Sequence, residues 1–180
     1  MAQFYDDITP MLQKFIEKQP MFFTASACSS GRVNLSPKGM GGFRILNPKL
    51  CGYMDMVGSG NETAAHIKND GRLTFMFNSY GRQALIVRLY GQGRVVRTGH
   101  PEFDTLAPLF PERRGQRQII LMDVESTQTS CGWGVPEMEL IRERNAYQKF
   151  LDKTSDEKIV SDMQIENVCS IDGFDTGLND

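Results

Sequence analysis

Polar and apolar positions alternate through the middle of the chain in short runs bounded by glycine, asparagine and serine, whereas a helical period shows only in brief stretches. Ile8 to Lys18 predicts an amphipathic helix with Thr9 as its cap, Pro10 in its first turn, Met11, Leu12, Phe15 and Ile16 on one face, and Pro20 as its stop. Strands are expected at Phe22 to Ala27, Val33 to Leu35, Leu50 to Met56, Arg72 to Asn78, Ala84 to Arg97 and Gln118 to Val124. Ser29 to Arg32 and Ser79 to Arg82 make hairpin turns, and Ser36 to Phe43 reads as a flexible loop with three glycines. Gly91 and Gly93 give the long 84–97 strand natural places to bend or bulge. Further helices are expected at Glu62 to Asn69, in a short piece from Pro101 to Phe110, and at Glu139 to Phe150; Ser126 to Gly134 is small, polar and glycine-broken, and no element is assigned beyond Lys153. Consecutive strands without a crossover helix for each one favour a mainly β fold with peripheral helices, a small closed or partly closed antiparallel barrel, over a doubly wound sheet.

With 180 residues, 40% of them hydrophobic, the chain can bury a core of its own and fits one domain with modest extensions. Twenty basic against twenty-two acidic residues, a net charge of -2, advertise neither nucleic acid nor an anionic membrane as a partner. The charge is uneven. Residues 72–97 hold five arginines and no acid, while acids collect from Asp152 to Asp180, so a basic sheet region and an acidic tail are expected as complementary surfaces within or between subunits, or as separately solvated faces. Cys28, Cys51, Cys131 and Cys169 have no metal-site spacing and read as reduced thiols; with no secretory leader pattern or membrane-length apolar run, the expectation is a cytoplasmic protein.

The candidate chemistry centres on Met56-Val-Gly-Ser-Gly-Asn-Glu-Thr-Ala-Ala-His66, a glycine-rich turn between a strand and a helix start. Such a turn offers unpaired N–H groups and the positive end of a helix to a phosphate. Ser59 and Glu62 also have the spacing of a capping box, which would satisfy those donors internally. Lys38, between Pro37 and Gly39, is an available loop cation or an ordinary solvated lysine. Arg88 interrupts a run of bulky strand residues, so its face of the strand must offer water, a carboxylate or a phosphate. Trp133, the single tryptophan, is flanked by glycines and can cover a planar ligand or plug a seam. His66 reads as a helix-packing or surface residue within reach of Glu62.

The runs Arg32-Val-Asn-Leu-Ser-Pro-Lys-Gly39, Gly58-Ser-Gly-Asn-Glu-Thr63, Asn69-Asp-Gly-Arg-Leu-Thr-Phe-Met-Phe77, Val87-Arg-Leu-Tyr-Gly91 and Ser130-Cys-Gly-Trp-Gly-Val-Pro136, in that order, resemble the pyridoxamine 5'-phosphate oxidase-related flavoproteins. The resemblance implies an FMN-binding split β-barrel over residues 1–150, with residues 151–180 an acidic extension packed on the barrel or on a dimer partner. It further implies a homodimer with cofactor clefts between subunits, FMN as cofactor, and Arg32, Lys38, Ser59, Asn61, Arg72, Arg88 and Trp133 as cofactor-binding residues. Two departures bear on the reaction. Asn61 and Glu62 stand where the true oxidases carry an arginine-lysine pair for the phosphate, and their arginine-rich substrate motif is not evident after Pro136. The expected function is therefore FMN-dependent oxidoreduction of a small organic substrate rather than vitamin B6 oxidation itself, with catalytic residues unassigned. A non-catalytic flavin or haem binder, and a structural dimer with a decayed site, are the alternatives.

Overall fold

The computed structural model describes residues 2–180; Met1, the first residue of the expected 1–150 domain, lies outside the described residues. Eight strands form one antiparallel sheet: β1 (Gln3–Tyr5), β2 (Phe22–Ser26), β3 (Asn34–Lys38), β4 (Phe43–Asn47), β5 (Leu50–Met56), β6 (Arg72–Asn78), β7 (Leu85–Arg97) and β8 (Gln116–Cys131). Their spatial order is β3-β2-β6-β7-β8-β5-β4. β8 is the spine. β7 lines one of its edges from Gln118 to Cys131, while the other edge is divided between β5 near its start and β1 at Thr127–Thr129. This is the split β-barrel architecture, mainly β with peripheral helices.

The barrel closes on an aromatic cluster in which the Phe22 ring centroid lies 5.0 Å from Phe43, 5.5 Å from Tyr53 and 5.4 Å from Phe77, within offset and edge-on range. The 3.6-residue spacing of Leu12, Phe15 and Ile16 buries one face of α1 (Pro10–Ile16), whose cap Thr9 accepts the Leu12 N–H. Met11, expected on that face, is exposed. Outside the barrel wall, Ile119 and Leu121 of β8 pack with Met54, Val96, Phe103 and Phe110 beneath α3 (Pro101–Leu106). Covered on both faces, β8 therefore reads as an unbroken apolar run from Ile119 to Met122 rather than an alternation. α2 (Glu62–Asn69) packs across β7, where Gly93 makes room: a Cβ there would come within 2.7 Å of Ile67.

Several expectations are corrected. The 36–43 loop is shorter, because β3 runs through Ser36, Pro37 and Lys38 and β4 begins at Phe43. β8 continues through Ser126–Cys131, since Thr127 and Thr129 of this polar stretch are buried between β7 and β1. Residues 139–145 are not helical; α4 occupies Ala146–Asp152 instead, and α5 (Asp156–Glu166) follows in the acidic extension. That extension packs on its own barrel. Lys68 pairs with Asp175 and Asp180, Arg114 with Asp156 and Arg32 with Asp172, while of the basic 72–97 residues only Arg97 reaches it, through the Thr176 carbonyl.

The bulge expected in the long strand lies instead in its partner: Tyr90 faces Ser126 but Gly91 faces Val124, so the extra residue is Glu125 of β8. A Cβ on Gly91 would lie 1.9 Å from the Asp123 carbonyl oxygen, a backbone atom that cannot swing aside. Gly91→Ala is expected to cost about 3 kcal/mol of stability in denaturant titrations, through forced displacement of the β7–β8 ladder. Gly134→Ala, with nothing within 4 Å of the new Cβ, is expected to stay within about 0.5 kcal/mol. Equal midpoints for the two variants would refute the close-approach argument.

Candidate functional site

The site grows from a carboxylate placed inside an apolar strand. Asp55, near the end of β5 and 4% exposed, faces Gln118 of β8, but its neighbour Met56 faces Gln116, so Arg117 is bulged out of register. Adjacent strand residues ordinarily point to opposite faces; the bulge lets both Arg117 and Gln118 reach the same carboxylate. Asp55 Oδ2 accepts from Arg117 Nη2 at 2.6 Å, Arg117 Nε at 3.2 Å and Gln118 Nε2 at 2.9 Å, and Oδ1 accepts from Lys38 Nζ at 3.1 Å. Burial alone would push the Asp55 carboxyl upward, but the Lys38 and Arg117 charges and the donated hydrogen bonds outweigh it and hold it below the ordinary carboxylate range. Burial likewise opposes the Lys38 ammonium, yet the Tyr53 oxygen and the Asp55 carboxylate leave its pKa raised.

The network continues outward. Arg117 also donates to the Gly60 carbonyl and to Asn167 Oδ1, Gln118 Nε2 donates to Asn61 Oδ1 at 2.7 Å, and Asn167 Nδ2 donates to the Gly58 carbonyl at 2.9 Å. The Gly58–Asn61 turn is thereby fixed from below. Asn61, not Ser59, is the N-cap residue of α2, and it makes no side-chain capping bond because its amide is committed to Gln118 and the Asn167 carbonyl. The expected Ser59–Glu62 capping box is absent: Glu62 Oε1 accepts from the Ile171 N–H at 2.9 Å instead. The first-turn N–H groups of α2 are thus left without a side-chain cap at the edge of a cleft.

That cleft has a volume of about 670 Å³. Its floor is β3, whose two-residue period turns Asn34, Ser36 and Lys38 toward it; one wall is Gly58–Thr63 and the other is formed by Glu166 and Cys169–Ile171. A second, more apolar pocket of about 280 Å³ lies on the other side of Lys38 and Asp55, lined by Phe22, Met40, Tyr53, Met54, Met56 and Tyr147. Arg113 stands at this pocket and donates to the carbonyl of Met40, the one non-glycine residue with positive φ (61°) among those described.

The structure brings Lys38, Ser59 and Asn61 together at the cleft and leaves the other expected residues outside its lining. Arg32 is bound to Asp172 with a side chain 69% exposed, and Arg72 pairs with Asp70 at 2.5 Å beside a different groove. Arg88 donates to Ser130 Oγ at 3.0 Å, which answers its need for a polar partner, and Trp133 is 86% exposed past the end of β8. His66 is buried and its Nδ1 meets Ser26 Oγ at 3.0 Å rather than Glu62. Asp55, Arg117, Gln118 and Asn167 were not singled out from sequence, although one carboxylate within Cys51-Gly-Tyr-Met-Asp-Met56 is a signal of the same kind as Arg88.

The sequence model of the family described as pyridoxamine 5'-phosphate oxidase matches residues 8–131, which hold strands β2 to β8 and the floor of the cleft. The chain belongs to this family. The pyridoxamine 5'-phosphate oxidase family protein UstO of Aspergillus flavus is 36% identical over 145 residues, 78% of this chain; the chain spans 58% of the length of that relative. The fold is shared with HupZ from Group A Streptococcus (18% identity, TM-score 0.52, 66% of this chain and 90% of that one). It is shared too with a candidate pyridoxamine 5'-phosphate oxidase from Lactobacillus delbrueckii (14% identity, TM-score 0.53, 68% and 94% coverage). The family match ends at Cys131, so the second cleft wall, from residues 166–171, comes from beyond it. Among the described residues no cluster of potential metal ligands occurs, and no helix is long and apolar enough to cross a membrane.

Neutralising Asp55 would leave Arg117, whose side chain is 3% exposed, as a buried cation without its counter-charge. Asp55→Asn is expected to destabilise the fold by about 3–5 kcal/mol at neutral pH. Because the carboxyl is held below its unfolded value, its contribution is complete above about pH 5 and is lost as pH falls below about 4. Denaturant unfolding of both forms should therefore show a gap at pH 7 that narrows in acid; a gap independent of pH would refute the charge account.

Proposed function

We propose that the protein is an FMN-dependent oxidoreductase acting on a small organic substrate, related to but distinct from pyridoxamine 5'-phosphate oxidase in what it oxidises or reduces. The observation that carries this reading is the convergence, in a cleft of about 670 Å³, of an uncapped helix start, a glycine turn and a strand-end lysine. The volume is in the range of cofactor pockets. Asn61 spends its side chain on the buried network, so the first turn of α2 is free to receive a phosphate, with the hydroxyls of Ser59, Ser36 and Thr63 nearby. The residues present fit the group. FMN, when bound, would supply the exchange of a hydride or electrons.

Lys38 borders both the cleft and the apolar pocket. Its ammonium, anchored on Asp55 and 5.3 Å from the Tyr53 ring centroid, keeps donors for a group in either space. A substrate in the apolar pocket would lie against Phe22, Tyr53 and three methionines, a lining suited to a small and largely apolar body. Lys38, Asp55 and Arg113 stand at the same pocket, so a polar group on that body also has partners there. The same reading includes a homodimer. Val33 just before edge strand β3 and Leu35 on it, with Trp133 and Ile141 beyond β8, are 74%, 63%, 86% and 91% exposed, and a second copy of the chain is the partner proposed to cover them. Trp133, too exposed to wall its own cleft, is then free to reach its partner's.

Native mass spectrometry of gently purified protein should show a dimer carrying one FMN per subunit, and persistent absence of flavin after reconstitution would sink the assignment. Lys38→Met should weaken FMN about tenfold through loss of one cation, whereas Arg72→Ala, on a different groove, should leave affinity unchanged; the reverse result would move the site. Reduction of bound flavin by NADH or NADPH, or its faster reoxidation by a defined acceptor, separates an enzyme from a carrier.

A further inference from the structure

Residues 167–176 form a small hairpin: Cys169 bridges Asp175, the Thr176 N–H donates to the Val168 carbonyl at 3.0 Å and the Ser170 N–H to the Phe174 carbonyl at 2.8 Å. Its tip is a four-residue turn from Ser170 to Gly173, closed by the Gly173 N–H on the Ser170 carbonyl at 2.9 Å, with Gly173 at φ +80°. Asn167, at 0% exposure, roots the hairpin in the network beneath the Gly58–Asn61 turn. With the hairpin in place the cleft still measures about 670 Å³, so the hairpin is a wall and not a plug.

We infer that this hairpin makes the cleft acceptable to a phosphate by engaging the Glu62 carboxylate, beside Gly60, so that it does not take the first-turn N–H groups of α2. The inference rests on the FMN reading above. Glu62 stands at the first helical position, where a carboxylate is drawn to the open N–H groups and would compete with, and repel, a phosphate there. Instead its Oε1 takes the Ile171 N–H, and it makes no bond to the α2 first turn. The acid at the hairpin tip is also accounted for: Asp172 accepts the Arg32 N–H at 2.7 Å and pairs with the Arg32 guanidinium. Arg32 thus steadies the wall rather than gripping the phosphate, and Glu62 and Ile171 are positioning residues.

Ile171 is 71% exposed and occupies the second position of the turn, where proline is favoured, so Ile171→Pro removes the N–H that holds Glu62 while suiting the turn. Equilibrium fluorescence titrations with FMN, and with riboflavin as the probe lacking a phosphate, read the effect. Ile171→Pro should weaken FMN about tenfold and leave riboflavin unchanged, and adding Glu62→Gln should restore FMN. Glu62→Gln alone, which keeps an acceptor for the Ile171 N–H, should bind FMN at least as tightly as the parent. Unchanged FMN affinity in Ile171→Pro, equal losses for FMN and riboflavin, or weaker binding by Glu62→Gln would overturn the inference while leaving the FMN reading intact. A parent chain that binds neither flavin overturns both.

Discussion

The buried carboxylate of Asp55 is the constraint on which the rest of the site depends. A charge inside a strand is tolerable only when paired and fully hydrogen-bonded, and the chain meets that demand by drawing two other strands onto one group. The β8 bulge delivers Arg117 and Gln118, β3 delivers Lys38, and the remaining donors and acceptors of these side chains reach the Gly58–Asn61 turn and Asn167. Satisfying Asp55 therefore positions the floor, the first wall and, through Asn167, the second wall of the cleft. The network is worth more as a positioning device than as net stability, since an apolar replacement of equal volume would hold the strands together as well.

The sheet makes this possible by being uneven. β8 is paired along one edge by the whole of β7 but along the other only by short strands, so two bulges are accommodated without loss of the ladder. One, beside Gly91, bends the long strands around the aromatic core; the other, at Arg117, aims a cation at Asp55. Both are one extra residue in β8, Glu125 in the first case, opposite a glycine whose missing Cβ admits the close approach, and Arg117 in the second. The cleft lies where β3, the sheet's edge, meets the turn after β5, so its polar floor is an exposed strand face made useful by alternation.

Much of this was legible in the sequence, and what was not had physical reasons. Leu50–Met56, Arg72–Asn78 and the Glu62–Asn69 helix declare themselves because burial and turn chemistry agree with local preference. β4 escaped notice because a five-residue strand, half-buried from Phe43 to Leu46, follows a glycine loop with no alternation to mark it. The end of β8 was hidden by its polar residues, of which Thr127 and Thr129 are buried by pairing rather than by hydrophobicity. At the site, the glycine turn and Lys38 were visible as local motifs. Asn167 was not, being separated by 109 residues from the carbonyl it holds, and long-range polar pairing leaves no periodic trace. The Ser59–Glu62 spacing misled for the same reason: a better acceptor position for Glu62 was supplied from the far end of the chain.

Seen through these contacts, the acidic tail has a structural logic that net charge conceals. Its acids meet Arg32, Lys68 and Arg114, exposed or half-exposed pairs that each contribute little alone. What anchors the tail is uncharged and buried: Asn167 and Thr176, both at 0% exposure, with the Thr176 hydroxyl returned to the Asn167 carbonyl at 2.7 Å. Surface charge then sets where the tip lies, while the buried amide sets that it lies there at all. On the FMN reading proposed above, an asparagine and a glutamate stand at the start of α2 where a phosphate would be received, and the burden of holding it falls on geometry. In that proposal the uncapped helix start, with the Glu62 carboxylate bonded to the Ile171 N–H, takes the place of a cationic pair.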